Sequence, residues 1–409
     1  MRARPRPRGS EQRRSIERTR VIGRTAFVAT YPPRRDGIAT YTRDLAAATG
    51  DREIAVLLPP ERGTPFPLEV HHRIRRDERD DYTHTARALG SCVDVVSIQH
   101  DFDIWGGDDG EYVFDFLRAL EVPVVATLHT ILAKPTPRQR IILSDLVASV
   151  DATVVLSQAA ATLLTATYGV DERRLNVIPH GVPDLPLADP ALLKTALGLG
   201  GREVILSFGL LGPEKGYELA IDALPAVVAA HPDVIYVVVG ATQPDLLQRD
   251  GEAYRAALVA RVKALGMTKH VRFVDDFVGR VEMTRWLQAA DVFVTTYPRL
   301  DQMVSGTLSY AMGAGRAIVS TPYAYAAELL ADGRGILVAS KSPAPLATAL
   351  KQVLGDDALR TALGRKAYEY SRRMVWSDVG AQHRALFARV AAAASAARVA
   401  PLGFASLNA

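Results

Sequence analysis

Short apolar runs rich in β-branched residues alternate with longer amphipathic stretches along most of the chain. In the first half they predict strands over Thr25–Thr30, Ile54–Leu58, Val93–Gln99, Val122–Leu128 and Thr153–Leu156. Several are apolar at every position rather than every second one, as expected of strands covered on both faces. Ala39–Ala48, Tyr112–Leu120 and Arg138–Ala148 carry helix-length patterns between them. Pro179–Gly201 then interrupts the rhythm with four prolines and four glycines, the composition of a linker. The alternation restarts beyond it, with strands predicted over Glu203–Phe208, Val234–Val239, Val271–Val274, Val292–Thr295, Ala317–Ser320 and Gly335–Val338. Helices are predicted over Gly216–His231, Glu252–Leu265, Val281–Ala289, Thr307–Gly313 and Pro343–Leu354, with a helical tail over Ala358–Val399. Strand–helix alternation of this kind builds parallel sheets wound on both faces. The fold class read from it is α/β, with two doubly wound domains over 23–185 and 202–375 joined by a linker over 186–201.

Composition narrows the function classes. Of 409 residues, 48% are hydrophobic and 23% charged, so the chain can offset its ordering entropy and is not a disordered protein. The lone Cys92 excludes a disulfide scaffold and suits a reducing compartment. The net charge of +4 is unevenly spread: residues 1–20 hold eight arginines and two glutamates, leaving the remainder at −2. Residues 1–22 are therefore read as a disordered basic arm, solvated rather than bound to nucleic acid. No signal-peptide core follows the arginines, and no run of about 18 apolar residues occurs. These features predict a cytoplasmic protein, with peripheral attachment to the inner membrane face compatible with the arm. No histidine, cysteine or carboxylate grouping has zinc-ligand spacing, so no metal is expected.

In open parallel sheets ligands bind beyond the carboxyl ends of the strands, where helix N-termini present their N–H groups. The loops in those places carry the candidate chemistry. After the first strand, Gly37 near a helix start would let the backbone approach a phosphate or sugar hydroxyl. After the third comes Gln99-His-Asp-Phe-Asp-Ile-Trp-Gly-Gly107, where His100 and Asp101 are read as the first polar residues past the strand. With Trp105 supplying an aromatic face, the loop has the makings of a carbohydrate site. The fourth strand ends in Thr127-Leu-His-Thr130, and His129 there could act as a base or hold a phosphate oxygen. In the second half, Phe208-Gly-Leu-Leu-Gly-Pro-Glu-Lys-Gly216 places Gly209 and the cation Lys215 beside a helix start, which suits a diphosphate. Ser305, Gly306 and Thr307 open a further helix and could hold another anionic group.

Taken together, DGIATYTRDL at 36–45, TLHT at 127–130, VIPHGV at 177–182, FGLLGPEKG at 208–216, AADVFV at 289–294 and YAMGAGRAIVST at 310–321 resemble a retaining glycosyltransferase of family 4 with the GT-B fold. QHDFDIWGG at 99–107 and SGTLSYAMGAG at 305–315 are similar to the subset with a QHE-type loop. The resemblance implies an acceptor domain in the N-terminal half, a donor domain in the C-terminal half and a closing helix over 376–400 that crosses back to the first. It implies transfer of a hexose, mannose among the candidates, from a GDP- or UDP-sugar to a carbohydrate or glycoconjugate hydroxyl, with retention and without a bound metal or cofactor. By the same analogy Lys215 stabilises the leaving diphosphate, Gly37 touches the phosphates and His129 lies near the transferred sugar. Three positions depart from the family pattern. Leu210 stands where an arginine is usual, and Gln302 and Tyr310 replace two glutamates. Gln302 can still bond a sugar hydroxyl and Tyr310 could stack on or donate to the nucleotide, but neither carries charge. These departures motivate an alternative: a nucleotide-sugar or glycan-binding protein of the same fold with weak or no turnover.

Overall fold

The computed structural model describes residues 23–58, 65–339 and 341–399. The predicted arm over 1–22 lies outside the described residues, as does position 400 of the predicted closing helix. Among the described residues, thirteen strands form two sheets. The first comprises β1 (Thr25–Ala29), β2 (Arg52–Leu58), β3 (Val70–Arg75), β4 (Val95–His100), β5 (Val124–Leu128), β6 (Ala152–Val155) and β7 (Leu175–Val177). The second comprises β8 (Glu203–Phe208), β9 (Val234–Val239), β10 (Val271–Val274), β11 (Val292–Thr295), β12 (Ala317–Ser320) and β13 (Ile336–Leu337). Their orders are β3-β2-β1-β4-β5-β6-β7 and β10-β9-β8-β11-β12-β13, with every pairing parallel.

Helices cover both faces. In the first lobe these are α1 (Gly37–Thr49), α2 (Arg79–Gly90), α3 (Val113–Ala119), α4 (Pro137–Ser149) and α5 (Gln158–Tyr168). The segment predicted as linker holds a short helix, α6 (Pro190–Ala196). The second lobe carries α7 (Tyr217–Val228), α8 (Pro244–Asp250), α9 (Ala253–Ala264), α10 (Arg280–Ala289), α11 (Gly306–Gly313), α12 (Ala324–Leu329), α13 (Pro343–Gly355) and α14 (Asp357–Ser371). The last helix, α15 (Trp376–Val399), returns to the first lobe, where Phe387 meets Phe27 of β1 edge-on at 6.1 Å. The central strands β1, β4 and β9 are buried at every position, as expected of strands covered on both faces, and β4 keeps Ser97, Gln99 and His100 inside as buried polar residues.

Two strands escaped the hydrophobic pattern. β3 reads Val-His-His-Arg-Ile-Arg, buries only Ile74 fully and pairs with β2 at the sheet edge. β7 has three residues and pairs with β6 at the other edge. Edge strands need only one covered face, and charge on them discourages pairing with other chains, so their sequences look like surface loop.

The chain crosses between lobes twice, and the crossings run side by side. Val182 N–H donates to Met374 O at 2.7 Å, and Trp376 N–H donates to Val182 O at 3.0 Å. Gly181 lies directly under the Trp376 indole: a Cβ there would stand 2.3 Å from ring carbons. Gly181→Ala must therefore push the indole away. The substitution is expected to cost about 1–3 kcal/mol, the usual range for overpacking a filled core. Thermal denaturation with Gly200→Ala, whose added Cβ meets nothing nearer than 3.7 Å, as the control checks it; equal melting points would show that the crossing is not packed as described.

Candidate active site

In each sheet the strand order reverses direction once, between β1 and β4 and between β8 and β11. The loops leaving the carboxyl ends at these points face each other across a cleft. The Ser157 hydroxyl beyond β6 donates to Met303 O in the β11–α11 loop at 3.2 Å. Glu328 of α12 accepts from the N–H groups of Gln158 and Ala159, at 3.0 and 2.8 Å, capping α5 from the opposite lobe. Arg280 of α10 forms an ion pair with the buried Asp44 of α1.

On the C-terminal side the residues singled out by sequence converge. Gly209 adopts φ +134°, a conformation that favours glycine, and a Cβ there would meet the Thr307 methyl at 3.3 Å. Gly216, at φ +66°, lets the loop after β8 pass against Thr296 O, which a Cβ would approach to 2.3 Å. That close passage sets Lys215 over the Tyr297 ring, with Nζ 4.7 Å from the centroid and 3.5 Å from the hydroxyl. The Tyr297 hydroxyl lies 3.2 Å from Ser305 Oγ and 3.5 Å from Thr307 Oγ1, and those two hydroxyls are 3.2 Å apart. Ser305 also caps α11 by accepting from Leu308 N–H. Burial alone would pull the Lys215 ammonium down, but the Tyr297 oxygen and Glu214 outweigh it and hold the lysine above its ordinary value. Burial would raise the Tyr297 phenol, yet the lysine and three hydrogen bonds keep it below its ordinary value. The cluster thus joins a firmly charged ammonium to a helix N-terminus whose N–H groups and hydroxyls are already oriented. Such an arrangement stabilises a multivalent oxyanion without reorganising.

Gln302 lies in the same loop, its amide N–H donating to Val304 O at 2.9 Å. Tyr310 lies in α11 itself. It is 6% exposed, its ring set edge-on to His180 at 5.5 Å, and burial raises its hydroxyl well above the ordinary value. One turn into α11, its side chain packs into the interlobe floor.

On the N-terminal side, Asp36 caps α1 by accepting from Ala39 N–H at 2.6 Å. Gly37 is exposed beside it, and a Cβ there would meet nothing within 4 Å, so the α1 N-terminus stands open. His129 N–H bonds His100 O at 2.9 Å, and its ring Nε2 bonds Gln99 Oε1 at 2.9 Å, leaving Nδ1 as the acceptor. Burial, then His180 and His100, push His129 down to about 3. At neutral pH it is therefore an uncharged ring, suited to accepting a bond from a hydroxyl and unsuited to holding a phosphate by charge.

The expected acceptor loop is largely structural. His100 is the last residue of β4 rather than the first beyond it; it is fully buried and pushed down to about 4 by desolvation. Trp105 is 2% exposed, packed against Tyr82 and Phe116, with Nε1–H donating to Gln99 O at 2.9 Å. No ring face remains for a sugar. The glycine pair after it serves the same plug, since a Cβ on Gly106 would lie 1.8 Å from Arg76 O. Asp101 alone of the three stays partly exposed, accepting from the Thr130 hydroxyl and from Asp103 N–H.

Residues that sequence reasoning passed over complete the floor of the cleft. Tyr41 of α1 stands edge-on to His129, His180 and Trp376 at 4.8, 5.2 and 5.4 Å. His180 donates Nδ1–H to Gly181 O, and a Cβ on Gly306 would meet its Nε2 at 2.8 Å. The VIPHGV segment drew notice as a motif, but nothing local marks its histidine as the point where the lobes meet. Among the described residues no group of three or more His, Cys, Asp or Glu is placed to hold a metal ion.

Two parallel-sheet lobes facing across a cleft, with an oxyanion cradle on the C-terminal one and a final helix crossing back, define a GT-B protein. Solved structures agree in fold. They include Anabaena HepE in complex with UDP (TM-score 0.73, 16% identity, covering 90% of this chain and 100% of that one). Sucrose-phosphate synthase from Thermosynechococcus elongatus is another (TM-score 0.74, 17% identity, 91% and 100%). Residues 35–184 match the Glycosyltransferase Family 4 model and residues 193–370 the model for Glycosyl transferases group 1. The phosphatidyl-myo-inositol mannosyltransferase of Mycolicibacterium smegmatis is 31% identical over 281 residues, covering 68% of each chain. A D-inositol 3-phosphate glycosyltransferase from Jonesia denitrificans is 28% identical over 298 residues, covering 67% of this chain and 68% of that one. The chain belongs to glycosyltransferase family 4, in group 1, and is a transferase.

Proposed function

We propose that the protein transfers a hexosyl group from a nucleotide-diphosphate sugar to a hydroxyl of a carbohydrate or glycoconjugate, with retention of anomeric configuration. The observation that carries this reading is the convergence of Lys215, Tyr297, Ser305 and Thr307 on the N-terminus of α11, with Gly209 alongside. In the step proposed, the bond from the anomeric carbon to the phosphate oxygen breaks and its electron pair leaves with the diphosphate. Lys215 neutralises that developing charge, where preorganised donors contribute most. The acceptor oxygen attacks from the face the phosphate leaves, and its proton passes to a departing phosphate oxygen. His129, neutral and fixed by Gln99, accepts a bond from a hydroxyl of the transferred sugar, while Gly37 leaves the α1 N-terminus open to the phosphates. Gln302 bonds a sugar hydroxyl through its amide. With Leu210 in place of the usual arginine, one cation of the family's pair is gone and Lys215 carries its share. UDP in HepE and the inositol acceptors in the relatives' names supply the first compounds to try.

A thermal-shift and turnover panel of UDP, GDP, ADP and their hexoses tests the reading. A ligand at 100 times its dissociation constant is expected to add about 2.7 kcal/mol of apparent stability. One donor should also be hydrolysed or transferred. Binding without turnover, by any acceptor in an inositol and oligosaccharide panel, would replace the transfer reading with the sugar-nucleotide-binding one that Leu210, Gln302 and Tyr310 motivate. Absence of binding by every nucleotide would overturn both.

A further inference from the structure

A cavity of about 360 Å³ lies away from the cleft. It sits at the amino ends of β11 and β12, bounded by Ala290 and Asp291, by Gly315–Ala317, by Leu187–Ala191 and Lys194, and by Arg360, Thr361 and Arg365 of α14. Strands of four residues separate it from the cleft loops by about 13 Å.

Its charges do not balance. Four cationic side chains line it against two carboxylates, and both carboxylates are already engaged. Asp291 accepts from Lys194 Nζ and from Val204 N–H, each at 2.6 Å, and Asp189 caps α6 by accepting from Ala191 N–H at 2.9 Å. Arg360 is held on Val353 O and Leu354 O, with Asp357 as its ion-pair partner. Arg316 is 6% exposed and bonds only carbonyls: Ala314 O, Gln288 O, Ala290 O and Ala188 O at 2.9–3.2 Å. The carbonyls take four of its five N–H groups; burial pulls its pKa down to about 10, although Asp291 and Asp189 nearby offset part of the cost. Arg365 is exposed on the rim and has no ion-pair partner among the described residues. An anion entering the cavity would meet Arg316 at its base and Arg365 at its mouth. The volume exceeds what a bare phosphate fills, and Leu187, Ala188, Pro190 and Ala191 give the rest of the wall a largely apolar face.

We infer that this cavity is a second ligand site, separate from the cleft, for a small phosphorylated compound whose phosphoryl group pairs with Arg316 and Arg365. The site joins the segment that enters the donor lobe to the helix that leaves it, because α14 runs on to Arg372, paired with Asp184 at 2.7 Å. An anion there ties the two together.

The test uses the whole protein with the cleft saturated by UDP and ionic strength held with sodium chloride. Calorimetry with inorganic phosphate and with hexose 6-phosphate is expected to give one site each; tighter binding of the hexose phosphate shows that the organic part is read, equal binding that phosphate alone is the ligand. Hydrogen exchange is expected to slow over 187–194 and 357–365. Arg365→Glu, on an exposed helix position, should weaken binding by roughly 10- to 100-fold while the melting point without phosphate stays put. No heat with either compound, equal affinity in Arg365→Glu, or binding that disappears when UDP fills the cleft would each overturn the inference.

Discussion

Lys215→Ala is expected to lower kcat by about 10²–10³-fold while leaving the fold and melting point nearly unchanged. The ammonium is the charged member of the cradle, it sits over Tyr297 rather than in the core, and five positions before it Leu210 stands where the family usually has an arginine. Because the charge it offsets grows as the glycosidic bond breaks, the loss should fall on kcat and kcat/KM together rather than on KM alone. Lys215→Arg should recover part of the rate at most, since a longer side chain ending in a planar fork sets its charge and donors elsewhere than the compact ammonium does. Steady-state kinetics with the best donor from the panel decide the matter. An alanine variant within about threefold of the parent, well short of the 10²-fold expected of a lost oxyanion contact, would remove Lys215 from the mechanism.

Acid is expected to unfold the protein between about pH 6.5 and pH 4, above the range where most carboxylates titrate. His100, His180 and His383 are buried and His129 half-buried, all uncharged, with values pushed down to about 4, 4, 4 and 3 from an ordinary 6.5, in every case chiefly by desolvation. In the unfolded chain they titrate near 6.5, so below that pH the unfolded state binds more protons than the folded one. Stability is therefore complete above pH 6.5 and falls as the pH drops toward the folded values. Each histidine contributes up to about 1.4 kcal/mol per pH unit in that window. Four of them acting over two units rival the whole stability of an ordinary domain, about 5–15 kcal/mol. Asp36 and Asp103 work in the opposite direction, their carboxyls raised chiefly by burial, but they are two groups against four. Melting curves across pH 7.5 to 4.0, followed by circular dichroism, report the slope. His383→Phe should flatten it by one proton without touching the cleft, because His383 lies in α15 against Phe387. A melting point that holds steady down to pH 4.5 would show that these rings are not buried uncharged.

What the chain states about itself is carried by short-range pattern. A strand covered on both faces must be apolar throughout and a packed helix must repeat its apolar positions every three to four residues, so the two α/β halves are written openly in the strand and helix runs. Because ligands in such sheets meet the carboxyl ends of strands, the loops holding Gly37, His129, Gly209, Lys215 and Ser305–Thr307 could also be found by position alone. Other features are settled by partners far off in sequence. The edge strands β3 and β7 exist because β2 and β6 offer them a hydrogen-bonding row, which no residue inside them announces. A tryptophan in a polar, glycine-rich loop could face a sugar or plug a core; the pocket between Tyr82 and Phe116 makes Trp105 a plug. Tyr310 turns inward because His180, 130 positions earlier, supplies the ring it packs against. Asp44 finds Arg280 across 236 positions. A ring or charge goes where its desolvation is compensated, and those compensating groups come together only when the two lobes close on one another.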